Sequence, residues 1–167
     1  MIIVGYQGIG KSTLAGKDGC IDLESGNFWV DGKRNDDWYK IYCQIANHLS
    51  EQGYTVFVSS HEVVRRELKK SKEFVYVVCP SLNLRYEWID KLRKRYETSG
   101  LEKDYKALMN AEDRYCENIG ELMCGDLPYY RITSMDYDLG QIVNELKEKT
   151  DRILWDKWWE ELDVYEP

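Results

Sequence analysis

The sequence predicts an α/β fold in three layers, with five parallel strands separated by helices. Three observations predict it. The stretch Gly5-Tyr6-Gln7-Gly8-Ile9-Gly10-Lys11-Ser12 satisfies G-x-x-x-x-G-K-[ST] at every fixed position, between an apolar run, Met1 to Val4, and a helix-favouring Ser12-Thr13-Leu14-Ala15. Apolar runs of four to six residues then recur between segments of helical periodicity, as in βαβ units. Phe74 to Cys79 is nearly continuous in apolar residues, as a parallel strand covered on both faces requires.

The strand, glycine loop and helix order makes the first stretch a binding device. Its three glycines let the backbone fold back so that successive N–H groups point inward, and the helix start adds partial positive charge there. An anion the size of phosphate fits such a loop. Gly5, Gly8, Ile9, Gly10, Lys11, Ser12 and Thr13 are the expected nucleotide-binding residues, with Lys11 bridging the β- and γ-phosphates of ATP and the Ser12 hydroxyl holding Mg²⁺. The bland alternative is a glycine turn between a strand and a helix.

Gly16, Asp18 and Gly19 end the first helix, and Cys20-Ile21-Asp22-Leu23 reads as a second short strand. Ligands of open parallel sheets gather at the carboxyl ends of the strands, which is where Asp22 and Glu24 fall. Asp22 is expected to join the Mg²⁺ shell, or to orient or deprotonate an attacking hydroxyl; otherwise both acids decorate a surface strand end. Residues 25 to 37, with Phe28, Trp29, Lys33 and Arg34, read as a flap whose Phe28 or Trp29 either stacks on a base or plugs the core. Asp36 or Asp37 caps the next helix, where Trp38, Ile41, Tyr42, Ile45, Ala46 and Leu49 keep an i, i+3, i+4, i+7 rhythm until Gly53.

Tyr54 to Val58 is the third strand, and Ser59-Ser60-His61-Glu62 stands where a Walker B motif would end in aspartate. The missing acid moves metal duty onto Ser12 and Asp22 and counts against a motor or AAA-type ATPase. Ser59 and Glu62 match a capping box. His61 reads as a capping or hydrogen-bonding residue, and Arg65 and Arg66 follow one turn on. After the fourth strand, Pro80-Ser81 gives way to a helix from about 82 to 98, with Lys91 and Arg95 on one face and Ser99-Gly100 at its end. Such a helix is either a cationic lid that closes over a triphosphate or a solvated amphipathic helix. A helix over Asp104 to Cys124, a fifth strand over Tyr129 to Thr133 and a helix through Leu146 complete the body, with Thr133 to Met135 as candidates for touching adenine. One domain, 1–150, is expected to include the lid helix. In the tail, 151–167, Trp155, Trp158, Trp159 and Leu162 form one apolar face that either packs on that domain or holds a protein partner.

A chain of 167 residues can bury about two-thirds of its unfolded surface without staples. Its five cysteines include no C-x-x-C pair, so neither a disulfide framework nor a zinc site is expected. With the first strand at Met1, no signal or transit peptide is expected, and no apolar run approaches a membrane span, so a cytoplasmic protein without membrane contact is expected. A net charge of −7 argues against a nucleic-acid partner. Residues 65 to 95 nevertheless carry ten Lys or Arg against four Asp or Glu. Anions should be met in the middle of the chain.

Five strands separated by helices, with the glycine loop after the first, Asp22-x-Glu24 after the second and the Lys91/Arg95 helix after the fourth, resemble the adenylate-kinase-like small-molecule kinases. Shikimate and gluconate kinases share an acid-x-acid pair at the second strand end. More closely, Ile21-Asp22-Leu23-Glu24-Ser25, Val56-Phe57-Val58-Ser59-Ser60-His61 with Arg65 following, and Tyr86-Glu87-Trp88-Ile89 running into Lys91 and Arg95 are similar to small P-loop proteins of phages and Gram-positive bacteria, labelled adenylate-kinase-like or nucleotide-kinase-like. The resemblance covers about residues 1 to 147. It implies a sheet of order 2-3-1-4-5, phosphoryl transfer from ATP, Lys11 and Ser12 on nucleotide and metal, Asp22 facing metal or acceptor, Arg65 gripping the acceptor, and Lys91 and Arg95 in the lid. Lysine stands at 91 where such kinases often have arginine, and the stretch beyond Ser99 is less similar.

These readings converge on an ATP- and Mg²⁺-dependent kinase of a small anionic acceptor, first a nucleoside or deoxynucleoside monophosphate and next a non-nucleotide metabolite. A nucleotide-binding regulator or weak ATPase that holds a partner through its tail is the rival from another class. A GTPase is disfavoured, since no Asn-Lys-x-Asp motif is present.

Overall fold

The computed structural model describes residues 1–29 and 33–162, the side chains of 157–162 excepted. Val30 to Gly32 of the expected flap, and the side chains of Trp158, Trp159 and Leu162, lie outside the described residues. The fold is α/β, with five parallel strands: β1 (Ile2–Gly5), β2 (Cys20–Asp22), β3 (Thr55–Ser59), β4 (Val75–Pro80) and β5 (Tyr129–Ile132). Their order in the sheet is β2-β3-β1-β4-β5. Six helices accompany them among the described residues: α1 (Lys11–Leu14), α2 (Trp38–Glu51), α3 (Glu62–Leu68), α4 (Arg85–Ser99), α5 (Glu102–Met123) and α6 (Leu139–Leu162).

The sheet follows from composition. β1 and β4 are buried at every position, and β3 at all but Ser59, as expected where β-branched runs are covered on both faces. The edge strand β5 exposes Tyr129 and Arg131 and buries Ile132. β1 is central: Gly5 is in register with Ser59 on one side and Val78 on the other, so β1 and β3 end level. Between β2 and β3 the chain reverses direction across the sheet.

Helix α2 departs from its sequence reading. The buried positions are Trp38, Tyr42, Cys43, Ala46 and Ser50, whereas Ile41 and Ile45 are 53% and 38% exposed. The stripe follows the aromatic cluster of Trp38 and Tyr42 with Phe28, and at its far end the Ser50 hydroxyl accepts from the N-terminal ammonium of Met1 and donates to Glu73. Asp37 stands at the N-cap of α2, but its side chain makes no capping bond; Asn35 Oδ1 accepts from the Asp37 N–H instead, at 3.1 Å.

Helices α4 and α5 pack as an antiparallel hairpin around Gly100, which takes a left-handed turn. α5 is kinked at Arg114, where φ is −132° and ψ is 21°. The chain divides into two compact units, one ending at Tyr137 and the other beginning at Asp138. The second is α6, which continues through residue 150 without a break. Leu139, Ile142, Val143 and Leu146 are buried along it, and Leu154 and Trp155 are exposed. Among the described residues no helix is long and apolar enough to cross a membrane.

Candidate functional site

The glycine loop leaves the buried end of β1 and turns into α1. Lys11, first residue of that helix, folds back so that Nζ donates to the carbonyls of Gly5 at 2.9 Å and Tyr6 at 3.4 Å. Only glycine permits this at position 5, since a Cβ there would meet Lys11 Cδ at 2.8 Å. Ser12 and Thr13 are exposed, while Ile9 is buried and anchors the loop. Three bonds hold the loop from outside. Gln7 Nε2 donates to the Ala107 carbonyl of α5 at 2.7 Å, the Trp88 indole N–H of α4 donates to the Gln7 carbonyl at 2.9 Å, and the Tyr137 hydroxyl donates to the Gly8 carbonyl at 3.3 Å.

Beside the loop lie the ends of β2 and β3. Buried Tyr42 ties them together, donating to the Leu23 carbonyl at 2.6 Å and accepting from the Ser59 N–H at 2.8 Å. That pins Asp22 next to Lys11. Burial pushes the Asp22 carboxyl up, partly opposed by the Lys11 charge, and Glu24 pushes in the same direction as burial. Burial pulls the Lys11 ammonium down, against the attraction of Asp22 and Glu24. Glu24 itself meets Lys103 at 3.4 Å.

The capping box expected of Ser59 and Glu62 is replaced by another contact. His61 is the N-cap of α3, no side-chain capping bond forms, and the Ser59 hydroxyl is instead 2.8 Å from His61 Nδ1. Burial and the nearby charges of Arg34 and Lys11 lower the basicity of His61, favouring its neutral form.

These groups face a cleft of about 990 Å³. Eight of its lining residues are Lys or Arg and five are Asp or Glu, an inversion of the −7 carried by the whole chain. Every expected site residue lines it: Gly5, Gly8, Ile9, Gly10, Lys11, Ser12, Thr13, Asp22, Arg65, Lys91 and Arg95. The cations of the helices are already engaged. Arg65, its side chain 11% exposed, donates to Glu121 at 3.1 Å, while its buried Nε has no hydrogen-bond partner among the described residues. Arg95 donates from Nε to Asp104 at 2.9 Å and again from its terminal nitrogen, and the Ser99 hydroxyl donates to the same carboxylate at 2.6 Å. Lys91 Nζ donates to the Tyr137 hydroxyl at 2.8 Å and lies 4.6 and 4.7 Å from the ring centres of Trp88 and Tyr137.

Of the flap aromatics, Phe28 plugs the core against Trp38 and Tyr42, with ring centres 6.0 and 5.4 Å away. Trp29 is exposed and lies against the Arg34 guanidinium, which is sandwiched between it and Trp38. Thr133 to Met135 do not line the cleft among the described residues.

Sequence reasoning missed the contribution of α5. Lys103, Lys106, Asn110, Arg114, Asn118 and Glu121 all face the cleft, and their spacing of three or four residues is one helical face. That polar periodicity was the available signal. For Mg²⁺, the exposed Ser12 hydroxyl and the half-buried Asp22 carboxylate are hard oxygen donors of a suitable kind, and a magnesium ion retaining waters and phosphate ligands needs no more from the protein. No cluster of three or more His, Cys, Asp or Glu side chains that could hold a metal occurs among the described residues. No protein-family model matches the sequence, and no curated protein is significantly similar to it.

Proposed function

We propose that the protein is an ATP-dependent kinase that transfers the γ-phosphoryl group to a small anionic acceptor, with a nucleoside or deoxynucleoside monophosphate as first candidate. One observation carries the reading: Lys11 closes over the glycine loop in the same cation-rich cleft that Asp22 lines. The finer fold assignment belongs to this proposal. It is a three-layer P-loop NTPase fold of the adenylate-kinase-like kind, with α4 as the lid helix and a cytoplasmic place of action.

A triphosphate in the loop replaces the Gly5 and Tyr6 carbonyls as acceptors for Lys11, exchanging neutral partners for anionic ones. Ser12 and Asp22 would hold Mg²⁺, which when bound supplies neutralisation of the β- and γ-phosphate charge. An acceptor oxygen attacks the γ-phosphorus in line as the bond to the ADP oxygen breaks. Asp22 orients that oxygen, Arg65 grips the acceptor's anion in place of Glu121, and Arg95 supplies positive charge beside the transferred group, while Lys91 stays on the Tyr137 hydroxyl behind the loop. A non-nucleotide acceptor has one observation in its favour. Among the described lining residues only Tyr6 and His61 carry rings, and Tyr6 is 2% exposed, so a base finds little to stack on.

The test is ADP formation from Mg²⁺ and ATP against a panel of nucleoside monophosphates, deoxynucleoside monophosphates and small hydroxy acids. Turnover well above the rate without acceptor is expected with one class. In Asp22→Ala that turnover should be abolished with ATP affinity retained; unchanged turnover would remove Asp22 from the mechanism. Tight ATP binding with the same slow ADP release for every acceptor would favour the regulator.

A further inference from the structure

We propose that Tyr137 and Trp88 are positioning residues that set the peptide planes of the glycine loop from behind, and that Lys91 acts on the loop through Tyr137. This rests on the reading that the loop binds a nucleoside triphosphate. In a trans peptide the carbonyl and the following N–H point to opposite sides, so fixing one aims the other. The Trp88 indole holds the Gln7 carbonyl outward, which turns the Gly8 N–H toward the loop interior; no hydrogen-bond partner for that N–H occurs among the described residues. The Tyr137 hydroxyl holds the Gly8 carbonyl outward, and the Ile9 N–H of the same peptide accordingly points across the loop at the Tyr6 carbonyl, 3.4 Å away. The Gly8 N–H is thereby left aimed where a phosphate oxygen would lie, and the Ile9 N–H beside it is held on the Tyr6 carbonyl.

The support behind them is stiff. Trp88 is fully buried, and the indole of Trp88 stacks on the ring of Tyr137 with centres 5.8 Å apart and planes 16° apart. Lys91 completes the assembly. Its ammonium is attracted to both ring faces and donates to the Tyr137 oxygen, which polarises the O–H that the phenol donates to Gly8. Burial keeps that phenol protonated, so the donor is present at every working pH. A lysine read from sequence as a phosphate-touching lid cation is, in this arrangement, tied to the loop through a phenol.

The experiment is calorimetric titration with Mg²⁺ and the non-hydrolysable β,γ-imido analogue of ATP, on the full chain, for wild type, Tyr137→Phe, Lys91→Met and the double variant. Tyr137→Phe keeps the stacked ring and removes only the hydroxyl. We expect it to weaken binding about three- to tenfold, the range for one hydrogen bond, with melting temperature unchanged. Lys91→Met should weaken binding in wild type and add nothing in Tyr137→Phe, the non-additivity of two groups on one path. Unchanged affinity in Tyr137→Phe, or an equal Lys91→Met effect in both backgrounds, overturns the inference while leaving the kinase reading standing. Wild-type protein that binds no analogue overturns both. Should Tyr137→Phe melt early, Trp88→Phe carries the same test from the Gln7 side.

Discussion

Lys11 and Arg95 line the same cleft but hold opposite kinds of partner. Lys11 donates to two main-chain carbonyls at the end of the sheet. Arg95 is clasped by the carboxylate of Asp104, Arg65 by Glu121 and Arg114 by Glu117. At the sheet end the cation is held by neutral acceptors, which a phosphate outcompetes at little cost. Where α5 supplies the carboxylates, each of these arginines already carries an anionic stand-in, which an incoming ligand must displace or leave in place. On the proposed kinase reading, the sheet side binds and the α5 side discriminates.

The first way to break this contrast is Lys11→Met. Loss of two charge-assisted bonds to phosphate should weaken binding of Mg²⁺ and ATP about a hundredfold in a calorimetric titration. The fold should not suffer, since a desolvated ammonium is removed. A small change would mean that the loop works through its N–H groups alone.

Asp104→Asn probes the other side. The carboxylate is buried and accepts from Arg95 and Ser99, so the variant should lose about 1–3 kcal/mol of stability in urea denaturation. Burial pushes the Asp104 carboxyl up, but the bonds from Arg95 and Ser99 outweigh it and hold it below the usual carboxylate range. Its stabilisation is then fully present above the unfolded value near pH ~4 and is lost as pH falls through the lower folded value. The wild-type and Asn stability curves should converge in acid; parallel curves would show that the pairing contributes nothing.

Glu121→Gln should have the smallest effect. The Glu121 carboxylate is about half exposed, so stability should change by less than about 1 kcal/mol. The acceptor KM should fall a few-fold as Arg65 is released. A rise in that KM would assign Glu121 itself to the acceptor and reverse the reading of the α5 side.

The strands were legible because each is a local apolar run, and their observed bounds fall within about one residue of those runs. The glycine loop was legible because its motif is contiguous. What stayed hidden depends on contacts between residues far apart in the chain: Trp88 on Gln7, Tyr137 on Gly8, and Met1 with Glu73 on Ser50. Periodicity measures which residues share a face and carries no information on what that face meets. Ile41 and Ile45 obeyed the helical rhythm and still point to solvent. Arg95 stands out in the sequence by its charge, but its partner Asp104 sits across a turn, on the next helix, where helical spacing does not extend.

Gly8 is not among the fixed positions of the phosphate-loop motif, yet its φ is +84° and a Cβ on it would stand 2.9 Å from Leu92 Cδ2 and 3.2 Å from the Trp88 indole nitrogen. The demand for glycine there comes first from the left-handed backbone, and α4 packed on the loop adds to it. Position 8 and position 92 are thus linked in heredity: a lineage that places a side chain at the first must shorten the second and accept the backbone strain.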